Sequence, residues 1–230
     1  MKKKLAIVLC LAVLAGVCAI YFTISYLQDE DTETNKFVVG DIEVDLTEDE
    51  WTPEDELEAR YPGDVKYKNP TIKAVTGDIY FRVKVELLDS VTQSAVSDAA
   101  ADLIWNTIYY EATATEFVED VTGIGSTTKT RSDLVGYSNY NEGKFTDTTP
   151  EDAPDNVKYY TYTNGGSDPA VLSEGSEVTL FTTIVIPADY NSTDFTEMGN
   201  YEIKITVQAI QAANIDETDA ADVLDAAFPS

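Results

Sequence analysis

Carboxylates are the one chemical resource this chain holds in quantity: 42 Asp and Glu stand against 15 Lys and Arg, with no histidine and two cysteines in 230 residues. Without an imidazole, Ser-His and Cys-His nucleophile pairs, an HExxH zinc site and ordinary imidazole base chemistry are excluded. Paired carboxylates can hydrolyse a glycosidic bond, but no spacing marks one pair above the many that 42 acids create. The chain is therefore expected not to be an enzyme. Asp29, Asp31 and Glu33 imitate the start of a D-x-D-x-D calcium loop. Thr34, however, stands where such a loop needs Gly, and Gly40 where it needs a bidentate Glu. No cofactor is expected, and at most weak, diffuse calcium binding from acidic runs such as Glu48 to Glu50 and Glu54 to Glu58.

Two tyrosine clusters, Tyr109-Tyr110 and Tyr159-Tyr160-x-Tyr162, have two readings. Alternating rings on a strand can stack on a carbohydrate or a protein ligand, or they can fill a core and pair across strands; packing is the preferred reading. Asn191-Ser192-Thr193 matches the glycosylation pattern. Formal charge is −27, and the first four residues hold three of the 15 cations. The remainder therefore carries 12 cations against 42 acids, a charge of −30. Such a surface repels phosphate backbones and anionic lipids, which argues against nucleic-acid binding or peripheral membrane adhesion as the main activity.

Lys2, Lys3 and Lys4 precede an uncharged apolar run from Leu5 to Ile24, the order of an export signal. Small residues at Thr23 and Ser25 make an A-x-A-like site before Tyr26, so cleavage is expected between Ser25 and Tyr26. About 20 apolar residues also suffice to span a bilayer, so a retained anchor is the alternative. In that case the membrane contact is the uncleaved leader alone. Cys10 and Cys18 both lie in the leader, and neither follows a small residue as a lipoprotein anchor requires. The exported part has no thiol for a disulfide, so its stability must come from its core.

The elements behind the leader read mostly as strands. Residues 26–35 are polar and acidic with no apolar period, an extended or mobile exposed segment. Lys36 to Leu46 alternates at Ile42, Val44 and Leu46, with Gly40 marking a bend. Val65 to Lys68 follows a Tyr-Pro-Gly-Asp turn and stops at Asn69-Pro70. Asp78 to Leu88 is the cleanest period-two strand, with Ile79, Phe81, Val83, Val85 and Leu87 on one face. Ser94 to Ile108 has helical spacing, and residues 121–155 read as loops with one weak strand. Val157 to Thr163 is a strand closed by Asn164-Gly165-Gly166, and Val178 to Ile186 reads as one central strand ended by Pro187. Tyr201 to Ala209 alternates again, and a short helix follows Asp216 with Val223, Leu224, Ala227 and Phe228 on its apolar stripe. The organisation expected is a signal peptide at 1–25, an acidic N-terminal segment at 26–35, a β-sandwich at 36–215 and a helical tail at 216–230. The fold class is all-β, a two-sheet antiparallel sandwich with one or two short helices.

Several of these segments, in order, resemble one family. Tyr26 to Leu46 (YLQDEDTETNKFVVGDIEVDL), YPGDVKYKNPTIKAVTGDIYFRVKVEL, Tyr159 to Pro187 with LFTTIVIP, and VQAIQA at Val207 to Ala212 are similar to TasA/camelysin-like proteins. Residues 112–156 have no counterpart. The resemblance implies a jelly-roll-like domain secreted by Gram-positive bacteria into the biofilm matrix, its leader removed by the signal peptidase SipW. It implies self-association into fibres, alongside other matrix proteins, by donation of an N-terminal strand. Carried onto this chain, the donor is Tyr26 to Val39, with Tyr26, Leu27, Phe37, Val38 and Val39 as its apolar contacts. The metallopeptidase activity ascribed to part of the family does not fit a chain without histidine. The alternative function is a membrane-anchored cell-surface binding or adhesion module.

Overall fold

The computed structural model describes residues 28–32, 35–37, 43–47, 61–111 and 129–229. Its organising element is a hairpin-like pair of long strands, β6 (Ile79–Asp89) and β12 (Tyr201–Gln211), which pair antiparallel along their whole length from Ile79↔Gln211 to Asp89↔Tyr201. The period-two reading of β6 holds: Ile79, Phe81, Val83, Val85 and Leu87 are each at most 1% exposed. Across from them Ile205, Val207 and Ala209 of β12 are also buried, because residues directly opposite in a ladder share a face.

Four further strands complete a six-stranded sheet. They are β1 (Gln28–Thr32), β2 (Asn35–Phe37), β8 (Phe145–Asp147) and β9 (Val157–Tyr162), in the order β2-β1-β12-β6-β9-β8. The sheet thus takes in residues ahead of Lys36, where the sandwich was expected to start. The expected strand Lys36 to Leu46 divides between layers. Its beginning lies in β2, and its end is β3 (Glu43–Thr47), which pairs with β5 (Thr71–Thr76) in a different sheet. Gly40 and Ile42 lie outside the described residues.

The facing layer is built from β3, β5 and β10 (Glu177–Thr179) and from β4 (Val65–Tyr67), β7 (Ile108–Tyr109) and β11 (Thr183–Val185). Val178 to Ile186 is therefore not one strand but two, split at residues 180–182. The break comes from the neighbour: Pro70 has no N–H to give a ladder, and Asn141 bonds the gap instead, taking the Leu180 carbonyl through its backbone N–H at 2.8 Å. Register survives the break. Thr71 pairs with Thr179 and Tyr67 with Thr183, four residues further along each chain. Between them Leu180 N–H reaches the Pro70 carbonyl and Lys68 N–H the Thr182 carbonyl, each at 3.0 Å. The two three-stranded sheets thus act as one bent layer. One core cluster joins it to the six-stranded sheet, with Val44, Ile72, Ala74, Val178 and Ile184 meeting Phe81, Val83, Val85, Tyr160, Tyr162 and Val207. The chain is an antiparallel all-β sandwich.

Among the described residues there are four short helices, two of which occupy segments expected to be helical. The first, α1 (Asp98–Trp105), is shorter than its apolar spacing predicts. It starts where the Ser97 hydroxyl accepts the Ala100 N–H at 3.1 Å, an N-cap, and ends because Ile108 is drawn into β7 against β11. Its Ala100, Ala101, Ile104 and Trp105 join the core. The C-terminal α4 (Glu217–Ala227) packs Ala220, Leu224 and the following Phe228 on Tyr80 and Ile210, the outward side of the six-stranded sheet. The other two, α2 (Arg131–Leu134) and α3 (Ser192–Met198), lie in loop-like sequence and are organised by polar caps. The weak strand expected within residues 121–155 is β8, at the sheet edge.

Candidate assembly edge and tyrosine strands

β12 is paired along its whole length to β6 on one edge and to an N-terminal strand on the other. β1 runs antiparallel along residues 206–210, from Gln28↔Ile210 to Thr32↔Thr206. After two residues the chain returns as β2, with Thr32↔Asn35 and Glu30↔Phe37. Phe37 thus sits at the far end of the sheet, one strand removed from β12. Ser25, Tyr26, Leu27, Val38 and Val39 lie outside the described residues.

The sequence of β1, QDEDT, is a poor strand former. Its register makes the mismatch specific: Asp29 is the partner of Ala209 and Asp31 of Val207, the two β12 residues that are 0% exposed. Two register positions opposite fully buried β12 residues are thus assigned to acidic residues. The same pairing shows that Asp29 and Asp31 belong to a strand, not to a calcium-type loop. Among the described residues no group of three or more Asp, Glu, His or Cys could hold a metal ion, and no helix is long and apolar enough to cross a membrane.

The tyrosine strands form packing, not a platform. In β9, Tyr160 and Tyr162 enter the core, where Tyr162 stacks on Phe81 at 5.2 Å and Tyr160 lies 4.7 Å from Tyr140. Tyr159 points to the opposite face and is covered by the Arg82 guanidinium, 5.0 Å from its ring centre. Tyr109 is buried in β7 and donates its hydroxyl to the Asn106 carbonyl at 2.7 Å, while Tyr110 is half-buried. Burial pushes the Tyr109 phenol up to about 12 and raises Tyr160 and Tyr190 as well. A phenol whose folded pKa lies above its unfolded value leaves stability intact below pH 10.0 and withdraws it as pH rises toward the folded value. Alkaline unfolding should therefore set in between about pH 10 and 12, as these phenols ionise with the unfolding chain. Tyrosinate absorbance and far-UV circular dichroism recorded together check this. Complete ionisation with the circular dichroism unchanged would show that the rings are not held in the core.

Sequence reading missed Arg82. It lies on the face of β6 opposite the core, yet is 7% exposed. Its Nε donates to Gln208 Oε1 at 2.7 Å, its Nη1 to Asp225 Oδ1 at 2.5 Å and its Nη2 to the Phe228 carbonyl. One side chain therefore ties β6, β12 and the end of α4. The available signal was a cation in the middle of a strand otherwise built for burial, followed much later by an amphipathic helix. Asn191 sits exposed as the N-cap of α3, its side-chain oxygen accepting the Thr193 N–H at 2.8 Å. Comparison of the chain with family models, curated proteins and solved structures returned no match.

Proposed function

We propose that the chain is an exported extracellular matrix subunit that assembles head to tail by exchanging its N-terminal strand. The observation that carries this reading is the pairing of β12 with the first described strand of the chain, in a register that puts Asp29 and Asp31 opposite buried Ala209 and Val207. The β2–β1 pair that ends the sheet is replaceable as a unit. The backbone ladder a second copy offers is the same, and a donor with apolar residues at the positions opposite Ala209 and Val207 suits them better than carboxylates do. Phe37-Val38-Val39, close behind β1, has that character. The contact is heterologous, so it propagates into fibres instead of closing into a dimer. The basic leader and the resemblance to TasA/camelysin-like matrix proteins support the same reading, with cleavage at Ser25-Tyr26 freeing the segment from the membrane.

Deleting residues 26–37 should leave a folded protein that no longer polymerises, read by light scattering and electron microscopy. An excess of a synthetic 26–39 peptide should arrest growth of the intact chain. Fibres that form unchanged in both experiments would sink the proposal. Mass spectrometry of the exported protein tests the leader, an amino terminus at Tyr26 being the result expected and an intact Met1 leader the result that favours an anchored surface module.

A further inference from the structure

The turn that follows β9 joins an unhindered backbone nitrogen to an activated amide. Asn164 (φ 48°) and Gly165 (φ 83°) are both left-handed, and Gly166 N–H closes the turn on the Thr163 carbonyl at 2.9 Å, the pattern of a type I′ turn. Both residues are exposed, and Asn164 is the one asparagine in the sequence followed by glycine. Glycine has no side chain to shield its own nitrogen. On the other side, the Lys144 ammonium donates to Asn164 Oδ1 at 2.6 Å. A charge-assisted bond to this oxygen draws electron density from Cγ. Other asparagines are held differently: Asn139 Nδ2 donates to the Trp105 and Ile108 carbonyls at 2.9 and 2.8 Å, Asn156 Nδ2 to the Leu87 carbonyl at 3.1 Å, and Asn141 is buried.

We propose that Asn164 is a site of spontaneous covalent modification in which the Gly165 backbone nitrogen attacks Asn164 Cγ. A bond forms between that nitrogen and Cγ, and Nδ2 leaves as ammonia, taking up the equivalent of the proton that the Gly165 nitrogen gives up. The five-membered imide left between the two residues is opened by water, to aspartate or to isoaspartate. One water is consumed and one ammonia released, with no change in oxidation state. The attack needs the turn to relax, and what resists is chiefly the Gly166–Thr163 bond together with Asn164 N–H on the Lys144 carbonyl at 2.9 Å. The product carboxylate faces the Lys144 ammonium, which converts a hydrogen bond into an ion pair and adds a negative charge to a chain already at −27. Isoaspartate also lengthens the backbone inside a two-residue turn, loosening the end of β9 where it meets edge strand β8.

The test is incubation of the purified full chain in mildly acidic and mildly alkaline buffer, followed by peptide mapping with mass spectrometry. Asn164 should convert at least about tenfold faster than any other asparagine, and faster in alkali, because the attacking nitrogen must lose its proton. Lys144→Met should slow conversion several-fold and Lys144→Arg should restore most of it. These variants spare the turn backbone, unlike Gly165→Ala, whose new Cβ would meet the Gly143 carbonyl oxygen at 3.1 Å in a left-handed conformation. An Asn164 that stays intact while other asparagines convert overturns the proposal. So does loss of ammonia without uptake of water to give a Lys144–Asn164 cross-link, which would make Lys144 the nucleophile. A Lys144→Met rate equal to that of the parent would remove the role given to the ammonium.

Discussion

Phe81→Ala should lower the free energy of unfolding by about 3–5 kcal/mol, the cost of truncating a fully buried aromatic ring. Phe81 lies in the longest ladder, paired with Ala209, and is 0% exposed. Its ring stacks on Tyr162 at 5.2 Å and meets Phe145 edge to face at 5.9 Å. The phenyl group thus joins three strands of one sheet, β6, β9 and β8, each of which depends on the others for its inward surface. Aromatic pairs of this kind add about 0.5–1.5 kcal/mol beyond their area, so the loss should fall toward the upper end of the range. Collapse of the surroundings is limited, because the facing Ile72 and Leu180 are themselves 0% exposed and lie in a bent ladder with fixed register. Urea unfolding of the variant measures the effect. A loss below about 1 kcal/mol would mean that Phe81 is not in a close-packed core. Phe81→Leu, which keeps most of the volume, should cost markedly less.

Arg82→Ala should cost about 2–4 kcal/mol, while Asp225→Ala, which removes the ion-pair partner of the same side chain, should cost under about 1 kcal/mol. The asymmetry follows from burial. Asp225 is 71% exposed at its side chain, so water replaces what it loses, whereas Arg82 is 8% exposed at its own. Removing the guanidinium leaves Gln208 Oε1 and the Phe228 carbonyl without the donor that satisfies them, and it uncovers Tyr159. The damage should concentrate in α4, since Leu224 and Phe228 are pressed on Tyr80 and Ile210 beside the Arg82 contacts. Hydrogen exchange in α4 should approach that of a frayed terminus in Arg82→Ala and change little in Asp225→Ala. Equal losses from the two substitutions would show that the ion pair, and not the buried hydrogen-bond set, holds the helix.

The elements legible in the sequence were those whose pattern is local. Alternation over Asp78 to Leu88 and Tyr201 to Ala209 identified β6 and β12 and their inward faces, because a half-buried strand must repeat every two residues whatever it pairs with. Asn164-Gly165-Gly166 announced its turn, and the stripe of Val223, Leu224 and Phe228 announced α4. Harder to read were features that depend on a neighbour. Val178 to Ile186 is uniformly apolar, and its division into β10 and β11 is caused by Pro70 and Asn141 on other segments. Helices α2 and α3 rest on caps such as Asn191 with Asp194, in stretches with no apolar period. For the candidate site, the acidic character of residues 28–33 was plain from composition. Its place against β12 was not, since QDEDT carries no strand signal of its own.

By itself the sequence determined which side-chain groups the protein has for chemistry. A chain of 42 acids without histidine, whose two cysteines both fall in the apolar run of residues 5–24, has no imidazole or thiol to work with beyond that run, and most of its local periods favour strands. Only the tertiary structure decided which strands meet. It set Arg82 under the C-terminal helix, joined two short sheets into one bent layer through an unbroken register, and assigned Asp29 and Asp31 to the positions opposite Ala209 and Val207. The physical reason is that side-chain periodicity is a property of one strand, whereas register and edge occupancy are settled by the competition among all strands for the same backbone hydrogen bonds and the same core.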